Sequence, residues 1–141
     1  MCTWYPNFSW HIGVVDSAQT QEFANHLMDR IWRRLDSTDV ADFYHRDVVG
    51  HHDSPRGSDR LSFDDVVHRL DFDRQTFTDP VYEIADLIAG EDRFAIRFHY
   101  GATLISTGER YRSEAAYSYH LRDGKIAEFW LLANIDFDYK E

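Results

Sequence analysis

Beyond residue 77, apolar residues recur with a period of two in four successive runs, and this alternation limits the possible folds more than any other feature of the chain. The runs 81–88, 93–104, 111–121 and 126–137 are separated by Gly90-Glu91-Asp92, Ser106-Thr107-Gly108-Glu109 and Asp123-Gly124. Glycine and aspartate supply the positive φ that tight hairpins need, so the pattern predicts a four-strand antiparallel meander. Strands of ten or more residues are long for a flat open sheet, so strong curvature is expected.

Upstream the period lengthens. Phe23, Leu27, Ile31 and Leu35 follow at four-residue intervals with Ala24, Met28 and Trp32 beside them, and Asp16 or Ser17 can cap the helix they define. Glu22, Asn25, His26, Asp29, Arg30, Arg33 and Arg34 form its wet face. A short helix is predicted around 40–44, after Ser37-Thr38-Asp39. A third starts at Ser62, with Asp65 three residues on, and carries Phe63, Val66, Val67 and Leu70. Residues 48–52 read as a short strand or bend, and 54–60, with Pro55 and Gly57, as a loop. Residues 1–15, rich in Trp, Tyr, Phe and Val but broken by Pro6 and Gly13, read as an N-terminal arm packed on one domain spanning 1–141.

Composition narrows the function classes. A chain of 141 residues is large enough to bury a core without staples. Its net charge of −10 argues against a nucleic-acid surface, which needs a basic patch to neutralise phosphates. The lone Cys2 rules out an intrachain disulfide, and a reducing, cytoplasmic setting is expected. No apolar run reaches membrane-spanning length, and the N-terminus lacks a signal-peptide pattern, so no membrane partner is expected. His45, His51, His52, His99 and His120 invite a metal reading, but adjacent histidines on a strand point to opposite faces and no familiar ligand spacing occurs. Neither metal nor cofactor is expected.

Helices followed by a curved meander, the Phe94-Ala95-Ile96-Arg97-Phe98 strand and the ending from Asp123-Gly124-Lys125-Ile126 to Trp130 resemble the SnoaL-like, polyketide cyclase-like branch of the NTF2-like superfamily. Asp47-Val48-Val49 with His51 after it, and Gly57 before the 61–70 helix, agree with the same pattern. The resemblance implies an α+β cone in which N-terminal helices pack against a strongly curved, mainly antiparallel sheet enclosing an apolar pocket. It also implies a homodimer and a small, mostly apolar or aromatic carbonyl-bearing ligand. Members include cofactor-free lyases and isomerases as well as non-catalytic binding proteins, and both classes stay open here.

Where the family often has an aspartate four residues after a tryptophan, this chain has Asn134 after Trp130. The resemblance therefore points to His51 as base and Asn134 as amide donor to an oxyanion. In a related dehydratase branch Asp39 or Asp42 would be the acid partner, but the histidine expected near 75–78 is missing. Alternation assigns Phe94, Ile96, Phe98 and Tyr100 to the pocket side, together with the phase containing Tyr117 and Tyr119. Trp130, Tyr117, Tyr119, Phe98 and Tyr100 are the expected substrate-binding residues. In the last strand Trp130 is assigned inward, and Phe129, Leu131 and Ile135 form an outer apolar set expected to be covered by a second subunit or by the arm.

Overall fold

Asp16 closes a capping box at the start of the first helix: its side chain accepts from the Gln19 amide at 2.8 Å, and the Gln19 side chain accepts from the Asp16 amide at 3.1 Å. The computed structural model describes residues 16–54 and 57–137, with the side chains of 54 and 133–137 outside that description. The expected arm at 1–15 lies outside the described residues. Helix α1 (Ser17–Leu27) runs on into a π-helical segment, Met28–Arg33. That segment carries buried Met28 and Ile31 and the half-buried Trp32. A 3₁₀ turn (Ser37–Asp39) leads into α2 (Val40–Phe43). Helix α3 (Phe63–Thr76) starts from a second capping box between Ser62 and Asp65.

The strands are β1 (Tyr44–Ser54), β2 (Gly57–Leu61), β3 (Phe77–Gly90), β4 (Arg93–Leu104), β5 (Arg110–Arg122) and β6 (Lys125–Phe137). They form one six-stranded sheet, curled but not closed, in the order β2-β1-β6-β5-β4-β3. The four-strand meander β3 to β6 is antiparallel throughout, as the alternation predicts. The fold is α+β, with the helices against one face of the sheet.

Two local expectations are corrected. The stretch read as a loop over 54–60 contains β2, which pairs antiparallel with β1 from Gly50↔Leu61 to Ser54↔Gly57. The short strand expected at 48–52 is an eleven-residue β1, lengthened because it docks parallel on β6, a partner far away in sequence.

The inner face of the sheet holds the core. Phe94, Ile96, Phe98 and Tyr100 of β4 are all buried, as are Ser113, Ala115, Tyr119 and Leu121 of β5, in the phases expected. In β6 the phase differs. Register shifts between Ala116 and Tyr117 and between His120 and Leu121 break the simple alternation against β5. Ile126 and Phe129 are consequently both buried, and Trp130 falls on the opposite face. Phe129 and Leu131 thus belong to the interior, and the outward apolar side chains described on this strand are Trp130 and the exposed Leu132.

Candidate functional site

The cavity lies between the inner sheet face, the π-helical segment after α1, and α3. Its main lobe has a volume of about 160 Å³. The walls are Ile31 and Trp32 from the π segment, Leu61, Val66 and Leu70 from and beside α3, and Tyr44, Tyr117, Phe129 and Leu131 from the sheet. The wide π turn brings two consecutive residues, Ile31 and Trp32, to the same wall. Polar groups enter at three points: His52 from β1, and Asp65 and Arg69 from α3.

A deeper lobe of about 30 Å³ shares Trp32, Arg69 and Tyr117 with the first and adds Asp73, Phe98, Tyr100 and Ser113. Asp73 is the one acidic residue among those lining this lobe. Its side chain is 8% exposed, whereas that of Arg69 is 60% exposed. Arg69 Nε donates to both carboxylate oxygens, at 3.1 and 3.2 Å. Burial raises the Asp73 pKa above the ordinary carboxylate value, and the charge and hydrogen bonds of Arg69 oppose that rise. The guanidinium thus stands near solvent while the carboxylate it steadies is inside.

Tyrosines dominate the remaining chemistry. Burial pushes the Tyr117 hydroxyl up to about 12 and also raises those of Tyr44, Tyr119 and Tyr100, the last with help from the charge of Asp73. All four therefore keep their protons at neutral pH. Tyr117 stacks on Tyr119 at 5.5 Å, and Trp32 lies tilted over Phe98 at 5.2 Å, so the walls are flat and aromatic.

The residues expected from sequence divide between the two faces of the sheet. Phe98, Tyr100 and Tyr117 line the deep lobe. Tyr119 is 1% exposed and sits in the core beside it, stacked on Phe94 at 4.8 Å. Trp130 and His51 stack on each other, with ring centroids 5.0 Å apart and planes inclined by 15°. His51 Nε2 also lies 2.7 Å from Glu128 Oε2, and His120 packs on Trp130 at 4.7 Å. This cluster is on the outer face: the β1 histidine that lines the cavity is His52, one residue on. Asn134 pairs through its backbone with Ala115, which lines the deep lobe, while its side chain is outside the described set. Among the described residues no group of three or more His, Cys, Asp or Glu could hold a metal ion, and no helix is long and apolar enough to cross a membrane.

Sequence reasoning missed Arg69, Asp73, Trp32 and His52. For Asp73 there was a signal: Val66, Leu70 and Asp73 share one stripe of α3, at helical spacings of four and three. An acidic residue on the apolar stripe of a helix is where a buried functional carboxylate would stand out.

The profile of the SnoaL-like domain matches residues 24–129. The chain belongs to that family. Solved structures agree on the fold. AclR from Streptomyces galilaeus, named as a candidate hydroxylase, is 22% identical, with 85% of this chain and 79% of that chain covered at a TM-score of 0.72. A candidate polyketide cyclase from Acidithiobacillus ferrooxidans is 18% identical over 86% of this chain and 89% of its own, at 0.66. A protein of ketosteroid isomerase-like fold from Catenulispora acidiphila, solved with trimethylamine, is 11% identical over 81% and 86%, also at 0.66. No protein of curated function matches the chain significantly in sequence. At these identities the likeness establishes the NTF2-like architecture of this SnoaL-like chain, and chemistry must come from its own cavity.

Proposed function

We propose that this SnoaL-like protein is a cofactor-free acid/base enzyme of the cyclase or isomerase kind, acting on a small, mostly apolar carbonyl compound held in the inner cavity. The observation that carries the reading is a carboxylate, Asp73, buried in the small lobe of a cavity walled mainly by aromatic and aliphatic side chains. A carboxyl whose pKa is raised by burial is a stronger base once ionised, and the Arg69 guanidinium, which opposes that rise, favours the ionised form. Asp73 takes a proton from the carbon beside the carbonyl, and the C–H electron pair becomes an enolate. Return of that proton to another carbon gives an isomer. Attack of the enolate carbon on a second carbonyl of the same molecule closes a ring, and the new alkoxide takes the proton back from Asp73.

Hydrogen–deuterium exchange at the α-carbon tests this without the natural substrate. With 2-tetralone as probe in D₂O, the parent protein should accelerate exchange, and Asp73→Asn should lower the catalysed rate by about a hundredfold or more. Exchange undiminished in Asp73→Asn would refute Asp73 as the base. A non-catalytic binding protein is the second reading. It is favoured by the ion pair itself, since both Asp73 oxygens already accept from Arg69. Tight binding of the probe without any exchange would favour it.

A further inference from the structure

Tyr100 lies in the deep lobe with no part in the proton transfer. It is 8% exposed, and its hydroxyl is buried without a hydrogen-bond partner. The charged and titratable neighbours felt by that hydroxyl are Asp73, Tyr111 and Arg69, and all three line the same lobe. A buried hydroxyl left unpaired is unfavourable and uncommon in native structures, so it marks a place where something else supplies the partner.

We propose that the deep lobe is a subsite for a single neutral acceptor oxygen: the ligand enters carbonyl first, and the Tyr100 hydroxyl donates to that oxygen. This rests on the reading that the cavity takes a carbonyl compound, and it adds the orientation and the charge of the ligand. Three properties of the lobe select the partner. First, the lobe is small, about 30 Å³ against about 160 Å³ for the main lobe, so it takes the narrow tip of a ligand whose body stays in the larger space. Second, burial and the negative charge of Asp73 keep Tyr100 protonated, so it offers a donor and favours an acceptor. Third, Arg69, the one Lys or Arg among the residues lining the lobe, is already paired with Asp73, so an anionic tip finds no uncompensated positive charge there, which disfavours acids against ketones. Trp32, Phe98 and Tyr117 then flank the body of a flat ring behind the carbonyl. In this pose the same hydroxyl stabilises the enolate oxygen as charge develops on it.

The test compares three ligands built on two fused six-membered rings, on the parent and on Tyr100→Phe: 2-tetralone, its hydrocarbon tetralin, and the anion 2-naphthoate. Binding is measured by calorimetry, and the carbonyl stretch of bound ¹³C=O-labelled 2-tetralone by infrared difference spectroscopy. The expected result is a lower carbonyl frequency on the parent than on Tyr100→Phe, about tenfold weaker ketone binding by the variant, and tetralin binding unchanged. 2-Naphthoate should bind the parent more weakly than the ketone. An unshifted carbonyl, equal losses for ketone and hydrocarbon, or naphthoate bound as tightly as ketone would each overturn the proposal. If the parent bound neither 2-tetralone nor tetralin, the cavity reading would fall and the subsite with it. Tyr100-dependent ketone binding without α-carbon exchange would leave the subsite standing and remove only the chemistry assigned to Asp73.

Discussion

Gly50→Ala is the substitution whose consequence can be worked most directly from the structure. Gly50 of β1 pairs with Phe129 of β6, and the Phe129 ring lies across the glycine. A Cβ at position 50 would fall 2.2 Å from Phe129 Cζ and 2.6 and 2.7 Å from the two Cε atoms. Carbon atoms pack at about 3.5–4.0 Å, so the ring must retreat by roughly 1 to 2 Å. It has little room to do so. Phe129 is 4% exposed and meets Tyr44 edge-on at 5.9 Å, with Tyr119 at 6.0 Å and Tyr117 at 6.4 Å. Overpacking of this kind costs about 1–3 kcal/mol, and the three simultaneous contacts put the expected loss near the upper end, about 2–3 kcal/mol. At about 2–4 °C per kcal/mol for a chain approaching this size, the melting midpoint should fall by roughly 5–10 °C. A double-mutant cycle isolates the cause. Phe129→Leu removes the Cε and Cζ atoms that clash, so the two losses should fall short of additivity by about 1–2 kcal/mol in urea denaturation. A Gly50→Ala midpoint within error of the parent, or strict additivity with Phe129→Leu, would refute the packing described for β1 against β6.

Two further outcomes follow from the same geometry. Because Trp130 stands on the outer face and Phe129 in the core, Phe129→Ala should cost about 3–5 kcal/mol and Trp130→Ala markedly less, by the same denaturation assay; the reverse order would restore Trp130 to the interior. Asp73→Asn should fold, and its stability relative to the parent should improve as pH rises. The folded-state pKa of Asp73 is raised above 3.8, so the stability the parent draws from this group is full below that value and is lost as pH climbs through the folded pKa. Thermal melts of both proteins from pH 3 upward check the sign, and a variant that loses stability relative to the parent as pH rises would contradict it.

The fold was legible where its causes are local. The meander strands could be placed because their turns carry Asp123-Gly124 and Gly90-Glu91-Asp92, and the helix starts because Asp16 and Ser62 cap them through neighbours three residues on. Strand phase could be read through β4 and β5, where alternation is uninterrupted across Phe94 to Tyr100 and the buried residues of β5. It could not be read through β6, because both neighbouring strands there impose register shifts that a single sequence does not announce, and one shifted residue sends Trp130 out and Phe129 in. Strand β2 was hidden by its composition: Gly57-Ser58-Asp59-Arg60 is polar and loop-like, and its pairing depends on β1. The candidate site followed the same division. Strand phase places Phe98, Tyr100 and Tyr117 on the inner face, where they line the deep lobe, whereas Asp73 sits in the stretch Asp71-Phe72-Asp73, where charge suggests solvent and only the register of α3 reveals burial.

The central claim is that a ligand occupies the inner cavity, on the Phe129 side of the sheet and away from the His51 and Trp130 stack. Isotope-filtered nuclear Overhauser spectra of the protein with bound 2-tetralone measure this directly. The account predicts contacts from ligand protons to the methyl groups of Val66, Leu70 and Leu131 and to the Phe129 and Tyr117 rings, all of which line the cavity. Contacts confined to the rings of His51, His120 and Trp130, which pack together on the opposite face, would contradict it.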